Sequence, residues 1–235
     1  MSYRKDSSPL ILTPELLCEY CDAAIRNASD LVKEATILFS KGFKARAYFL
    51  SVAAIEEIGK ALIAFDAQGR NLKDPAVSGA AKRGMEDHPS KIRAAFNVWI
   101  AQNPNDREAI KYMVDLIIHL QRGREPSMYT DIDSNTGKIR VPADIIREAA
   151  ARDCIRLSAD TLARAQEHLK ETNPAIRTRA EDDIYALKSS QFEKLLNTED
   201  FWWYFTAQME SGNEDFAEAV VKYRNQFFLK GQLFK

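Results

Sequence analysis

The segment Phe43–Gln68, FKARAYFLSVAAIEEIGKALIAFDAQ, is apolar almost all the way round when wound as a helix. Such a helix cannot lie on a surface. It must be enclosed by other elements, which makes it the central member of a helical bundle. Glu56, Glu57 and Lys60 interrupt it in the middle. At about 100° per residue, Arg46, Phe49, Ala53, Glu56, Glu57, Lys60 and Ala64 share one arc of about 100°. Phe43, Ala47, Leu50, Ala54, Ile55, Ile58, Leu62 and Phe65 fill the rest. Lys60 stands four residues from Glu56 and three from Glu57, so either can pair with it. On an exposed face such a pair is worth about 0.3–0.5 kcal/mol. Inside a buried helix, charge must be paired and hydrogen-bonded. The stripe is then either a structural ion pair or a site, and it is the first candidate site of the chain.

The flanking sequence supplies the other helices. Thr13-Pro14-Glu15 is a helix start, with a side-chain cap, a proline at the first helical position and an acid after it. Apolar residues then recur at helical spacing from Leu16 to Leu38, and Gly42 closes the element. So short a connection to Phe43 predicts an antiparallel αα-hairpin. Further helices are expected after His88-Pro89, over Asn105–Leu120 and over Ala143–Lys170. Between the last two, Gly123–Val141 carries the turn residues Asn135-Thr136-Gly137 and reads as a loop or small β-hairpin laid across the bundle. A boundary at Asn173-Pro174 divides an all-α antiparallel bundle, residues 1–175, from a helical C-terminal extension, residues 176–235. Residues 1–180 hold 27 Lys+Arg against 24 Asp+Glu, whereas residues 181–235 hold six against ten. The aromatic run Phe201–Phe205 in that acidic extension is expected to pack on the bundle or to form an interface.

Composition removes several classes. A net charge of −1 excludes nucleic-acid binding through overall charge, so any such binding needs a local basic patch. Nine Gly and eight Pro exclude collagen-like and turn-rich all-β chains. Three cysteines, Cys18, Cys21 and Cys154, make no disulfide framework. Cys18-x-x-Cys21 falls on a helix without a second pair, so no zinc site is expected. No phosphate-binding glycine loop, GxSxG or HExxH is present. No apolar run has the length of a membrane helix or signal peptide. The expectation is a reduced cytoplasmic protein without metal, cofactor or membrane contact. Among the histidines, His88 stands beside Asp87 and Lys91, His119 is expected in the core and His168 on the surface.

The string Ala45–Ala61, ARAYFLSVAAIEEIGKA, resembles the signature helix of the AbiV family of abortive-infection proteins, a branch of the HEPN superfamily. His88-x-x-Lys91, Arg124 with Tyr129-Thr130-Asp131, and Val141-Pro142 before a long helix follow in the order the resemblance requires. It covers residues 13–170. The resemblance implies a HEPN-like helical bundle, a homodimer, and a role in phage defence with RNA as target. Many HEPN RNases use an Arg-x4–6-His motif without metal, and Arg83 and His88 have that spacing. Gly84 and Pro89 set it away from mid-helix, so Arg83, Arg46 and Arg124 all stand as candidates for the arginine.

On this implication His88 is the base that takes the ribose 2′-OH proton. Lys60, Lys91 or Arg124 stabilises the charge that grows at phosphorus, while Glu57 and Glu56 orient the cations or the histidine. Tyr129 stacks on a base or donates a hydrogen bond, and Arg83 and Arg46 contact substrate. RNA, a phage-encoded trigger or other protein, and a second copy are the expected partners. The alternative is a non-catalytic HEPN-like module that binds a protein, nucleotide or RNA.

Overall fold

A computed structural model describes residues 10–102 and 106–234. Helices dominate, and the chain divides into two compact units. The first comprises the residues up to Gln68 together with 83–174, and the second comprises 69–82 together with 175–235.

In the first unit, α1 (Pro14–Ser40) starts at Thr13, whose Oγ1 accepts the Leu16 N–H at 3.2 Å. Gly42, with φ of 84°, turns the chain into α2 (Lys44–Gln68). The left-handed backbone there is why glycine closes the hairpin. Val52, Ala54, Ile55, Ile58, Ala61 and Ala64 of α2 are all fully buried, as expected of a central helix. α3 (Pro75–Glu86), whose residues up to Lys82 belong to the second unit, leads through Asp87 into α4 (His88–Gln102), followed by α5 (Arg107–Arg124) and a single 3₁₀ turn, Glu125–Ser127. α1, α4 and α7 (Glu148–Glu171) pack along α2, around a core of Ile55, Ile58, Ile92, Phe96, Ala151 and Cys154.

The expected hairpin is present: β1 (Asp131–Ile132) pairs antiparallel with β2 (Ile139–Arg140), Asp131 opposite Arg140. Its tip is an Asx turn in which Asp133 Oδ1 accepts the N–H groups of Asn135 and Thr136, both at 3.0 Å. The helix expected over 143–170 is interrupted. α6 (Pro142–Ile145) ends at Ile146, whose extended backbone (ψ of 115°) drops its side chain into the core before α7 begins. α3 has no counterpart among the sequence-derived helices, because PAVSGAAKRGME carries two glycines and buries only Val77 and Ala81, too few apolar positions to show a helical period. Among the described residues no helix is long and apolar enough to cross a membrane.

In the second unit, Gly69 meets the chain at Ala175, where a Cβ would lie 2.7 Å from the Ala175 carbonyl carbon. Asp182 is buried and accepts both Arg70 Nη1 (3.1 Å) and the Asn71 N–H (2.9 Å). The Arg70 guanidinium lies 3.8 Å over the Tyr185 ring of α8 (Arg179–Tyr185). α9 (Ser189–Leu196), α10 (Glu199–Glu210) and α11 (Phe216–Gln226) enclose a core of Leu195, Phe201, Tyr204, Val220 and Tyr223. Phe227 and Phe234 pack against it. Asp200 Oδ2 accepts the Tyr223 hydroxyl and the Phe234 N–H, each at 2.8 Å. Tyr223→Phe is expected to cost about 1 kcal/mol, because Asp200 keeps its backbone donor. Urea denaturation monitored on the aromatic signal reads that loss.

Candidate functional site

Two glycines bring the site together. Gly59 lies one turn beyond Glu56 on α2, where a Cβ would stand 2.6 Å from the Lys91 carbonyl carbon and closer still to its oxygen. No other residue lets the first turn of α4 rest so directly on α2. That contact turns His88 and Lys91, three apart on α4, toward Glu56. Gly123 does the same for α5, since a Cβ there would lie 3.0 Å from Tyr48 Cζ and closer to its hydroxyl. The next residue, Arg124, thereby reaches Glu56 as well.

Glu56 is a buried hub with three basic partners. Its Oε2 accepts His88 Nδ1 at 2.7 Å and Lys91 Nζ at 3.0 Å, and its Oε1 accepts Arg124 Nε at 2.7 Å. Side-chain exposure grades outward from Lys91 (5%) through Arg124 (20%) to His88 (48%). Burial works to raise the Glu56 pKa. Hydrogen bonds from Lys91 and His88 and the charges of Lys91 and Arg124 outweigh it and hold the carboxyl below its ordinary value. An ionised carboxylate only accepts, so the His88 proton that faces Glu56 is on Nδ1. In the neutral ring Nε2 is then the basic nitrogen. Lys91 and Arg124 together exceed the single charge of Glu56, so the cluster is locally cationic in a protein of net charge −1.

The low pKa has a consequence for stability. A carboxyl whose folded pKa is lowered stabilises the fold above its unfolded value, about 4.3, and that contribution is lost as pH falls through the folded value. Wild type is therefore expected to lose more stability than Glu56→Gln as pH drops below about 4. Thermal melts of both proteins across that range check it, and parallel profiles would refute it.

The other sequence-selected residues fall around this hub. Glu57 and Lys60 pair with each other at 2.5 Å, so the i,i+3 pair forms and the i,i+4 pair with Glu56 does not. Burial works against the Lys60 charge, but the hydrogen bond and charge of Glu57 prevail and raise its pKa, with Tyr20 and Glu56 adding to them. Arg46 Nη1 donates to the Met128 carbonyl at 3.1 Å, which ties the first turn of α2 to the chain leaving Arg124. Tyr129 follows and is exposed. Arg83 is exposed in the last turn of α3, where its carbonyl accepts the Asp87 N–H at 2.9 Å, and it is not a partner of Glu56.

His119 is exposed, contrary to the core position expected for it. Its Nδ1 lies 2.7 Å from the Asp115 carbonyl, and the apolar run before it turns inward at Leu116 and Ile117 instead. His168 sits edge-on to Phe65 at 5.7 Å. Cys21 is buried, with its thiol pushed up to about 12 by desolvation, while Cys18 is exposed. Sequence reasoning did not single out Gly59 or Gly123. For Gly59 the available signal was a glycine inside an otherwise well-formed helix, which costs about 1 kcal/mol relative to alanine and so asks for a packing reason, whereas Gly123 fell in the segment read as a loop and α5 instead runs through it to Arg124.

Comparison with known proteins gives a family. The AbiV model of the HEPN group matches residues 16–163, more than half of the chain, and spans every residue of the Glu56 cluster. No curated protein and no solved structure matches. With the signature helix central to an all-α bundle and its glutamate at the hub of the cluster, the chain belongs to the AbiV family of HEPN-type abortive-infection proteins.

Proposed function

We propose that the protein is a metal-independent endoribonuclease that shuts down the phage-infected cell, with its active centre at Glu56, His88, Lys91 and Arg124. One observation carries the reading: a buried, ionised carboxylate holds the Nδ1 side of a half-exposed histidine amid two further cations. That arrangement fixes the tautomer and leaves Nε2 as the base.

His88 Nε2 takes the proton from a ribose 2′-OH, and O2′ attacks the adjacent phosphorus. The bond from phosphorus to O5′ breaks, which leaves a 2′,3′-cyclic phosphate, and O5′ departs with a proton returned by the imidazolium. Arg124 reaches Glu56 through Nε, and the rest of its fork serves the phosphate oxygens. Lys91 is too buried to meet a substrate and acts as a positioning residue that keeps Glu56 charged. Lys60, paired with Glu57, adds positive potential beside the cluster. Arg46 holds the segment that presents Tyr129, an exposed ring suited to stacking on a base. Arg83 stands at the turn before His88 as a phosphate contact. RNA as substrate, a phage-encoded trigger or other protein partner, a homodimer and a cytoplasmic setting belong to the same reading.

A second reading has its own observation. Lys91 and Arg124 are already committed to Glu56, which favours a structural cluster in a module that binds RNA, a nucleotide or a protein without cleaving.

Purified wild type and His88→Ala, incubated with total RNA and matched DNA in excess EDTA, separate the two. The expected result is cleavage of RNA and not DNA by wild type, reduced about a hundred- to ten-thousand-fold in His88→Ala. Equal cleavage by both proteins removes His88 as the base. Absence of cleavage by wild type, with RNA still retained, supports the binding module.

A further inference from the structure

The second unit carries a surface that the proposed chemistry does not use. Residues 195–221 contain six Asp or Glu and no Lys or Arg. α10 lies within that run and is apolar on two sides. Its inner side places Phe201 and Tyr204 in the core. Its outer side aligns Glu199, Trp202, Trp203, Thr206, Met209 and Glu210 at helical spacing, all of them exposed. Trp202, Trp203 and Met209 are 45%, 48% and 47% exposed. Large apolar side chains grouped on one face in this way mark a surface made to be covered.

The two indoles are held in place. Trp202 Nε1 donates to the Leu196 carbonyl at 2.7 Å, and Trp203 Nε1 donates to Glu199 Oε1 at 3.3 Å. Their hydrogen-bonding edges are engaged within the protein while much of each ring remains open to solvent. The acids divide likewise. Asp200 turns inward to Tyr223, Asp215 caps α11, and Glu218 pairs with Lys222 at 3.0 Å. Among the described residues, no Lys or Arg pairs with Glu199, Glu210 or Glu214.

Charge selects the occupant. Glu199, Glu210 and Glu214, in a stretch without Lys or Arg, disfavour the phosphates of RNA and the headgroups of an anionic membrane. Arginine and lysine side chains gain twice on such a surface, by ion pairing and by lying over indole faces. We propose that the outer face of α10 is a docking surface for a cationic protein segment, whose Arg or Lys side chains stack on Trp202 and Trp203 and pair with Glu199 and Glu210. This surface is independent of the nuclease reading, and either can fail alone.

The test uses the full chain and a fluorescein-labelled dodecapeptide of repeating Arg-Gly-Lys, read by anisotropy. Trp202 also lies edge-on to Phe201 at 5.1 Å, so Trp203→Ala is the cleaner variant. Saturable binding by wild type is expected, weakened about five- to tenfold by Trp203→Ala. Glu199→Gln with Glu210→Gln is expected to weaken it similarly and to flatten its salt dependence. Unchanged melting temperatures establish that both variants fold. Equal affinity in wild type and variants, or no binding by wild type, overturns the proposal. Binding of labelled oligouridylate that Trp203→Ala abolishes would make the face an RNA platform and overturn it too. So would a wild-type dimer in sedimentation that Trp203→Ala converts to monomer, since the face would then join two copies of this chain.

Discussion

Replacing Glu56 by alanine is expected to remove about 3–5 kcal/mol of folding stability, the usual cost of leaving one partner of a buried ion pair behind. The three basic groups it holds do not suffer equally. His88 is half in solvent and Arg124 one-fifth exposed, so both can turn toward water. Lys91 has no such exit, because its side chain is 5% exposed and its own carbonyl is pressed against Gly59. The loss therefore concentrates on an ammonium stranded without a counter-charge. Urea denaturation of Glu56→Ala, Lys91→Met and the double variant reads this directly. The double variant is expected to be more stable than Glu56→Ala, since the stranded charge is gone. A loss under about 1 kcal/mol in Glu56→Ala would show that the cluster does not hold α4 and α5 on α2.

The second large effect is expected at Gly59. On helix propensity alone, Gly59→Ala gains about 1 kcal/mol. Here the new Cβ would lie 2.6 Å from the carbonyl carbon and 2.9 Å from the Cα of Lys91, so the neighbour is backbone and has no rotamer to change. α4 must move off α2. Overpacking of this kind costs about 1–3 kcal/mol and more where the obstacle is rigid, so a net loss of about 2 kcal/mol or more is expected. The same displacement carries His88 and Lys91 away from Glu56, so the ribonuclease activity proposed above should fall with stability. Gly84→Ala is the control. Its Cβ would meet Ile63 Cγ2 at 3.6 Å, an ordinary contact, and the helix gain should survive as a neutral or slightly stabilising change. Equal behaviour of the two variants would show that the close approach at Gly59 is not what seats α4.

The candidate site was half legible. A single arc on α2 gathers Glu56 and Glu57, and the family resemblance adds His88, Lys91 and Arg124. The arc has no means of ranking Glu56 above Glu57. They are adjacent, chemically equivalent and both near Lys60, yet one is a buried hub and the other bonds Lys60 at the edge. The difference lies in which neighbouring helix each faces, and that depends on residues more than thirty positions away. His119 shows the same limit, since an apolar run before it says that one side of α5 is buried but not which side the ring occupies.

What the sequence determined by itself is the local backbone. Thr13-Pro14 starts α1, Gly42 turns it into α2, and Asn135-Thr136-Gly137 closes the hairpin, each through torsion preferences and short-range hydrogen bonds that need no distant partner. The near-uniform apolarity of α2 likewise fixes it at the centre. Tertiary structure alone decided the helix at 75–86, the break that buries Ile146, and the convergence of His88, Lys91 and Arg124 on one carboxylate. The convergence arises where the backbone of α4 rests on α2 at Gly59 and where Gly123 of α5 takes the Tyr48 ring, and the free energy of such a contact belongs to both segments at once.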